Sequence, residues 1–199
     1  MMAPAPLSRN ALHVVIDMQR LFAEQTAWYT PAFEGILPNV VALSKARPAE
    51  TVFARFMVPQ SAEDATGRWK TYYRRWPSVT LDELDVAMLD LVAPLTAIAA
   101  PGSIVDKETY SVFGSPGFTA RLQGSATDTL IFSGVETDVC VYASVLDAVD
   151  AGYRVILAKD AVASGDMKAH AMVIEILAPR LSEQIEILTT EAILNLWRE

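Results

Sequence analysis

Six short runs along the chain are apolar at nearly every position: LHVVI (12–16), TVFARF (51–56), SIVDK (103–107), TLIFSG (129–134), RVILAK (154–159) and IEILTT (185–190). Strict alternation of apolar and polar positions would mark a sheet with one wet face. Runs apolar throughout belong to a sheet covered by helices on both faces. Stretches of helical periodicity separate the six runs, so the pattern predicts an α/β fold, a single three-layer α/β/α domain built on a six-stranded parallel sheet. Thr80 and Glu83 have the spacing of a capping box, and Leu84, Met88 and Leu91 follow at helical intervals, predicting a helix that Pro94 ends. Thr137 or Asp138 is expected to cap a second helix, with Val141, Val145 and Val149 as its inward stripe and Gly152 as its stop.

Composition narrows the class. A chain of 199 residues, 52% apolar, has material for one large core. The Pro-containing residues 1–10 read as a flexible tail and 11–199 as the domain. A formal charge of −8 with no Lys/Arg-rich run argues against nucleic acid, which needs clustered positive surface. MMAPAPLSRN lacks the order of a signal peptide and no apolar run reaches membrane-spanning length, so a soluble, cytoplasmic protein with no membrane partner is expected. The single cysteine, Cys140, closes no internal disulfide.

In an open parallel sheet, ligands collect outside the carboxyl ends of the strands, where the strand order reverses. Three such ends carry an ionisable group: Asp17 after LHVVI, Lys107 closing SIVDK, and Cys140 after TLIFSG. Each has an ordinary reading. Asp17 could cap the MQRLF segment, Lys107 could be a surface lysine, and Cys140 could be small core filler. A thiol in the first turn of a helix, however, meets unpaired N–H groups and a positive dipole end, which favour the thiolate. Together the three groups form a catalytic set in which Asp takes the thiol proton and Lys stabilises the charges that result.

IDMQRLF, DKETYSVFGSPGF and SGVETDVCVYASVLDAVDAGYRVILAKDAVAS together resemble the isochorismatase-like cysteine hydrolases over nearly the whole chain. The resemblance implies Asp17, Lys107 and Cys140 as the catalytic triad. It also implies a cis peptide between Val135 and Glu136, with backbone N–H groups near Glu136 and Cys140 forming an oxyanion hole, and the strand order 3-2-1-4-5-6. In that order Lys107 starts two strands from Asp17, about 10 Å away, so its loop must bend back over the sheet.

Several members of that family hold a metal through a carboxylate and histidines after the second strand. Here ARFMVPQSAEDATGRW has no histidine and offers Arg55 instead. His13 starts the first strand, far from Asp17, and His170 falls in a helical pattern. Neither a metal nor another cofactor is expected. The aromatic-basic stretch GRWKTYYRRWPSVT (67–80) reads as pocket wall or subunit interface in an expected homo-oligomer. Tyr110 and Phe113 follow Lys107 and are candidate pocket residues, and Arg55 is a candidate to hold a carboxylate or carbonyl of the small-molecule substrate.

The expected reaction is cleavage of a small amide or N-carbamoyl C–N bond through a thioester on Cys140; similarity to members acting on N-carbamoyl amino acids is carried by RF…GRW…YYRRW. Hydrolysis of the enol ether of isochorismate is the alternative within the family. A flavodoxin-like nucleotide-binding module would need glycines after the first strand, and IDMQRLF has none. A thiol redox sensor would lack a resolving cysteine.

Overall fold

The computed structural model describes residues 5–197. Strands β1 (Ala11–Ile16), β2 (Thr51–Phe56), β3 (Ile104–Lys107), β4 (Thr129–Val135), β5 (Arg154–Ala163) and β6 (Ile185–Leu188) form one sheet in the order β3-β2-β1-β4-β5-β6. Every neighbouring pair is parallel. The helices are α1 (Arg20–Ala23), α2 (Phe33–Ala46), α3 (Trp69–Arg75), α4 (Ala93–Thr96), α5 (Pro116–Gln123), α6 (Tyr142–Asp150), α7 (Met167–Met172) and α8 (Thr190–Leu196). The strand order reverses between β1 and β4, so the crevice of a doubly wound sheet opens at their carboxyl ends.

The central strands have the burial the apolar runs imply, since every residue of β1 and β4 is buried, whereas the edge strands fall short of it, β3 alternating exposed and buried positions and β6 being only partly buried after Ile185. The polar exceptions pair with each other. His13 Nε2 lies 2.8 Å from Ser133 Oγ on the neighbouring strand, and complete burial lowers the imidazole pKa to about 3. This histidine is therefore a neutral core residue near physiological pH. At the end of β4, Gly134 has φ +110°, and an added Cβ would overlap the Ile16 carbonyl oxygen. Both the backbone conformation and the approach of β1 demand glycine. Gly134→Ala is expected to destabilise the fold by roughly 3 kcal/mol or more, measured as a drop in the urea midpoint with unchanged slope. A loss below half that size would mean that β1 and β4 separate easily at this point.

Three expectations fail. Residues 80–94 do not form one helix, because tertiary pairings pull the stretch open. Leu81 and Asp82 donate backbone bonds to Pro59 and Gln60, while Leu91 pairs with Gln19 in an isolated antiparallel bridge. The Thr80 hydroxyl turns back to the Pro77 carbonyl instead of capping the next turn. Neither Thr137 nor Asp138 caps the second helix. Their side chains reach across to His170 and Ser164, and the element begins as a wide π-type turn, Thr137–Val141, before α6. Its end is as expected, with Gly152 at φ +83° and the N–H groups of Gly152 and Tyr153 returning to Val149 and Ala148. Lastly, residues 5–10 are tied down rather than loose. Leu7 is buried and bonds Leu196, Arg154 holds the carbonyls of Ala5 and Pro6, and Ser8 donates to Asp128. Positions 1–4 of the expected tail lie outside the described residues.

Candidate active site

Asp17 is the first residue beyond β1 and the only non-glycine with positive φ, +54°, among the described residues. Asp tolerates this left-handed conformation better than most residues, and here it turns the chain sharply off the sheet. The turn is held by Asp17 N–H donating to the Ala54 carbonyl and Gln19 N–H donating to the Asp17 carbonyl. Gln19 then fastens β1 to its neighbour. Its Oε1 accepts from Phe56 N at 2.7 Å, and its Nε2 donates to the carbonyls of Phe56 and Leu89 at 3.0 and 2.8 Å. Asp17 caps no helix; the residue preceding α1 is Gln19.

Lys107 closes β3, two strands away, yet its Nζ lies 2.8 Å from Asp17 Oδ2. Its extended side chain makes the crossing, passing 4.6 Å from the centre of the Phe56 ring on the intervening strand. A second bond to the Thr109 carbonyl, at 3.1 Å, comes from the loop folding back. Both side chains are fully buried. Burial raises the Asp17 pKa, and the adjacent ammonium works against that rise. Oδ1 of Asp17 is buried without a completed hydrogen bond, and the Cys140 thiol is close enough to act on the same carboxyl group.

Cys140 sits in the wide turn between β4 and α6 and is buried. Its pKa is pushed well up, first by burial and next by the Asp17 carboxylate, with Lys107 acting in the opposite sense. Burial and the Asp17 carboxyl group thus act against the thiolate-favouring effect expected of a helix start. A thiol next to a carboxyl group is an arrangement in which a proton can pass between the two. The Val135–Glu136 peptide is cis. The Glu136 carbonyl accepts the N–H groups of Val139 and Val141, both at 3.1 Å, and bypasses that of Cys140. Ser144, fully buried, donates to the Cys140 carbonyl at 2.7 Å and accepts from Val112 N at 2.9 Å, tying the turn that holds Cys140 to the loop after Lys107.

A cavity of about 320 Å³ opens over Cys140. Its walls are mainly Phe22, Trp28, Phe56, Trp69, Tyr72 and Trp76, with Tyr110, Arg75, Glu136 and Val139 completing them. The stretch 67–80 thus forms pocket wall through α3. A larger cavity, about 540 Å³, lies beyond Trp69 and Tyr73 and does not include Cys140, so it is the smaller one that reaches the thiol. Tyr110 is in the wall as expected, its ring 4.8 Å from that of Trp69. Phe113 is not; it packs edge-on against Phe118 and beside Tyr153. Arg55 is not in the wall either. Successive strand side chains point to opposite faces, so Phe56 reaches the cavity while Arg55 forks onto Asp106 at 2.8 and 3.1 Å and approaches Asp90 at 3.6 Å. The arginine that does line the cavity is Arg75, from the same basic stretch. Among the described residues, no group of three His, Cys, Asp or Glu side chains is placed to share a metal ion. His13 is spent on Ser133 inside the sheet and His170 on Thr137, so the donors present do not fit a metal centre.

An isochorismatase domain profile matches residues 11–191. Among curated proteins, the chain is 31% identical over 81 residues to an uncharacterized isochorismatase family protein of Bacillus subtilis, covering 41% of this chain and 44% of that one. It is 28% identical over 139 residues to the N-carbamoylsarcosine amidase of an Arthrobacter species, covering 66% of this chain and 51% of that one. The chain thus spans about half the length of these two relatives. Among solved structures, a cysteine hydrolase from Pseudomonas syringae pv. phaseolicola superposes with a TM-score of 0.78 at 25% identity, covering 98% of both chains.

Proposed function

The chain belongs to the isochorismatase family, and from that premise we propose that it is a metal-independent cysteine hydrolase that cleaves a small-molecule amide or N-carbamoyl C–N bond. The observation that carries this reading is the buried set at the sheet's switch point: Lys107 on one carboxylate oxygen of Asp17, the other oxygen without a completed hydrogen bond, and the Cys140 thiol beside it at the floor of a cavity.

With an amide carbonyl over Cys140, Asp17 takes the thiol proton as sulfur forms its bond to the carbonyl carbon. The oxygen becomes an oxyanion, and the N–H of Cys140, bypassed in the turn's own bonding, is a donor for it, together with an N–H near Glu136. Collapse breaks the C–N bond, the proton on Asp17 passes to the leaving nitrogen, and ammonia or an amine departs. Asp17 then takes a proton from water, which attacks the thioester and releases the acid and the thiol. Lys107 orients the Asp17 carboxyl group throughout and favours its ionised form before each proton transfer, and the proton taken from water returns to the sulfur as the thioester breaks.

The test is turnover of primary amides, N-carbamoyl amino acids and isochorismate by native protein and by Cys140→Ser. Ammonia release that depends on Cys140, with an acyl adduct of matching mass on that residue in quenched mixtures, is the expected result, and prolonged chelation should leave the rate unchanged. Loss of rate on chelation with recovery on added zinc would overturn metal independence, and turnover of isochorismate alone would overturn the amide reaction. Arg55→Gln is expected to leave both KM and kcat within about twofold of native, because its guanidinium is engaged by Asp106 and Asp90 rather than by the cavity. A tenfold rise in KM would place Arg55 against the substrate after all.

A further inference from the structure

The turn that carries Cys140 is held from the side and not from its own start. In a regular α-turn the Glu136 carbonyl would accept the N–H four residues on, that of Cys140. Here it accepts those of Val139 and Val141, and Tyr142 N–H returns to the Thr137 carbonyl, so the turn is one residue wider and the Glu136 carbonyl passes over the Cys140 N–H. Wide turns of this kind are uncommon, and something must keep this one from tightening into an α-turn that would use up that N–H. No side chain caps its start.

Three successive side chains leave the turn for a single segment, 164–170, which joins the end of β5 to the first turn of α7. Glu136 accepts from Gly165 N–H at 2.8 Å, Asp138 accepts from the Ser164 hydroxyl, and Thr137 Oγ1 lies 2.9 Å from His170 Nδ1. The segment is itself fixed. Asp166 caps α7 by accepting from the N–H groups of Lys168 and Ala169 at 2.8 and 3.1 Å, and Ser164 Oγ accepts from Asp166 N–H at 3.2 Å. At Gly165 an added Cβ would lie 2.9 Å from a Glu136 carboxylate oxygen, so segment and turn meet closely there. Of the three links, that of Thr137 is the most demanding. Thr137 is fully buried, and among the described residues the partner of its hydroxyl is His170. A buried hydroxyl that loses its partner must find another or move. Because a hydroxyl both donates and accepts, this bond can form with either tautomer of the imidazole. His170 does not line the cavity over Cys140, so any influence on the chemistry passes through the turn.

We propose that His170, acting through Thr137, is a positioning residue that braces this turn in its wide form and so keeps the Cys140 N–H free of the Glu136 carbonyl. The use of that N–H as an oxyanion donor rests on the hydrolase reading, but the brace is testable without turnover. The chain has one cysteine, so protein labelled with [15N]cysteine gives a single backbone amide resonance, that of Cys140. This resonance is expected to move in Thr137→Val and in His170→Phe, and to return to its native position in His170→Asn, whose amide can stand where Nδ1 does and renew the bond. Thermal melts check that each variant folds; if His170→Phe does not, Thr137→Val, which keeps the shape of threonine, carries the test. Ammonia release is then measured on primary amides and N-carbamoyl amino acids. A donor that meets charge only in the transition state acts on kcat, so Thr137→Val and His170→Phe should each lower kcat about tenfold with KM within about twofold of native. The double variant should be no slower than the slower single one, because both changes remove the same bond. A Cys140 resonance that stays in place in both single variants overturns the brace, as does His170→Asn behaving like His170→Phe. A rise in KM matching the fall in kcat would move the effect to substrate binding and overturn the positioning role. If the resonance responds as expected but native protein turns over no amide, the brace stands and the hydrolase reading falls. If amides are turned over and neither resonance nor kcat changes in the variants, the hydrolase reading stands and the brace falls.

Discussion

Cys140→Ala is expected to abolish amide turnover, a loss of roughly 10⁴-fold or more, while leaving the thermal midpoint close to native. Under the proposed reaction the thiol is the nucleophile that the described cavity residues offer, and replacing one small buried side chain by another at that turn disturbs little packing. Asp17→Asn keeps the shape of the carboxyl group but cannot accept the thiol proton. Burial holds the Cys140 pKa up, so the thiol gains little by ionising unaided, and the expected loss is about 10²-fold or more. Because base and nucleophile act in one step, the double variant should be scarcely slower than Cys140→Ala alone. Additive losses would separate the two residues, and full activity in Cys140→Ala would return Cys140 to the role of core filler.

Lys107→Met should lower both rate and stability. It leaves the fully buried Asp17 without its cation, and stranding one member of a buried pair costs about 3–5 kcal/mol. The pH dependence separates this effect from lost packing. Burial already raises the Asp17 pKa above its ordinary value of 3.8, and Lys107 is the main influence opposing the rise. Removing the lysine raises it further. A carboxyl group whose folded pKa lies above its unfolded one favours the fold while both states are protonated, below the unfolded value. That advantage is lost as pH rises through the folded value. The variant should therefore be nearest to native stability at about pH 4 and lose ground steadily towards pH 8. Its activity, which needs the ionised base, should move to higher pH. Thermal melts across this range together with a pH–rate profile provide the check. A deficit of equal size at every pH would reduce Lys107 to a packing residue.

Much of the fold was legible in the order of residues alone. Six short apolar-rich runs alternating with helical periodicity pointed to a parallel α/β sheet, and all six strands fall within a few residues of the predicted spans. Local chemistry of that kind depends on neighbours in the chain, which sequence displays directly. The helix predicted over 80–94 failed for the opposite reason. Its capping and periodicity signals were real but weak, and bonds to Pro59, Gln60 and Gln19, distant in sequence, outweighed them.

The site divides along the same line. Asp17, Lys107 and Cys140, which the structure brings together, stood out in the sequence as ionisable residues at strand ends and through the resemblance to the family. Which arginine and which aromatics face the cavity was not countable. Arg55 lost its place to Arg75 because a strand alternates faces and Asp106 pairs across the register. Phe113 turned to Phe118, and Phe22 and Trp28 entered the wall from a segment with no signal of its own. What the chain's pattern determined by itself was the kind of sheet and the residues at its carboxyl edge, since both arise from periodicity along one dimension. Only the tertiary structure decided that a lysine two strands away would span Phe56 to reach Asp17, that burial would raise the Cys140 pKa, and that aromatic rings would wall the cavity. Each of these depends on desolvation and on contacts between residues far apart in sequence, quantities that exist only once the chain has closed on itself.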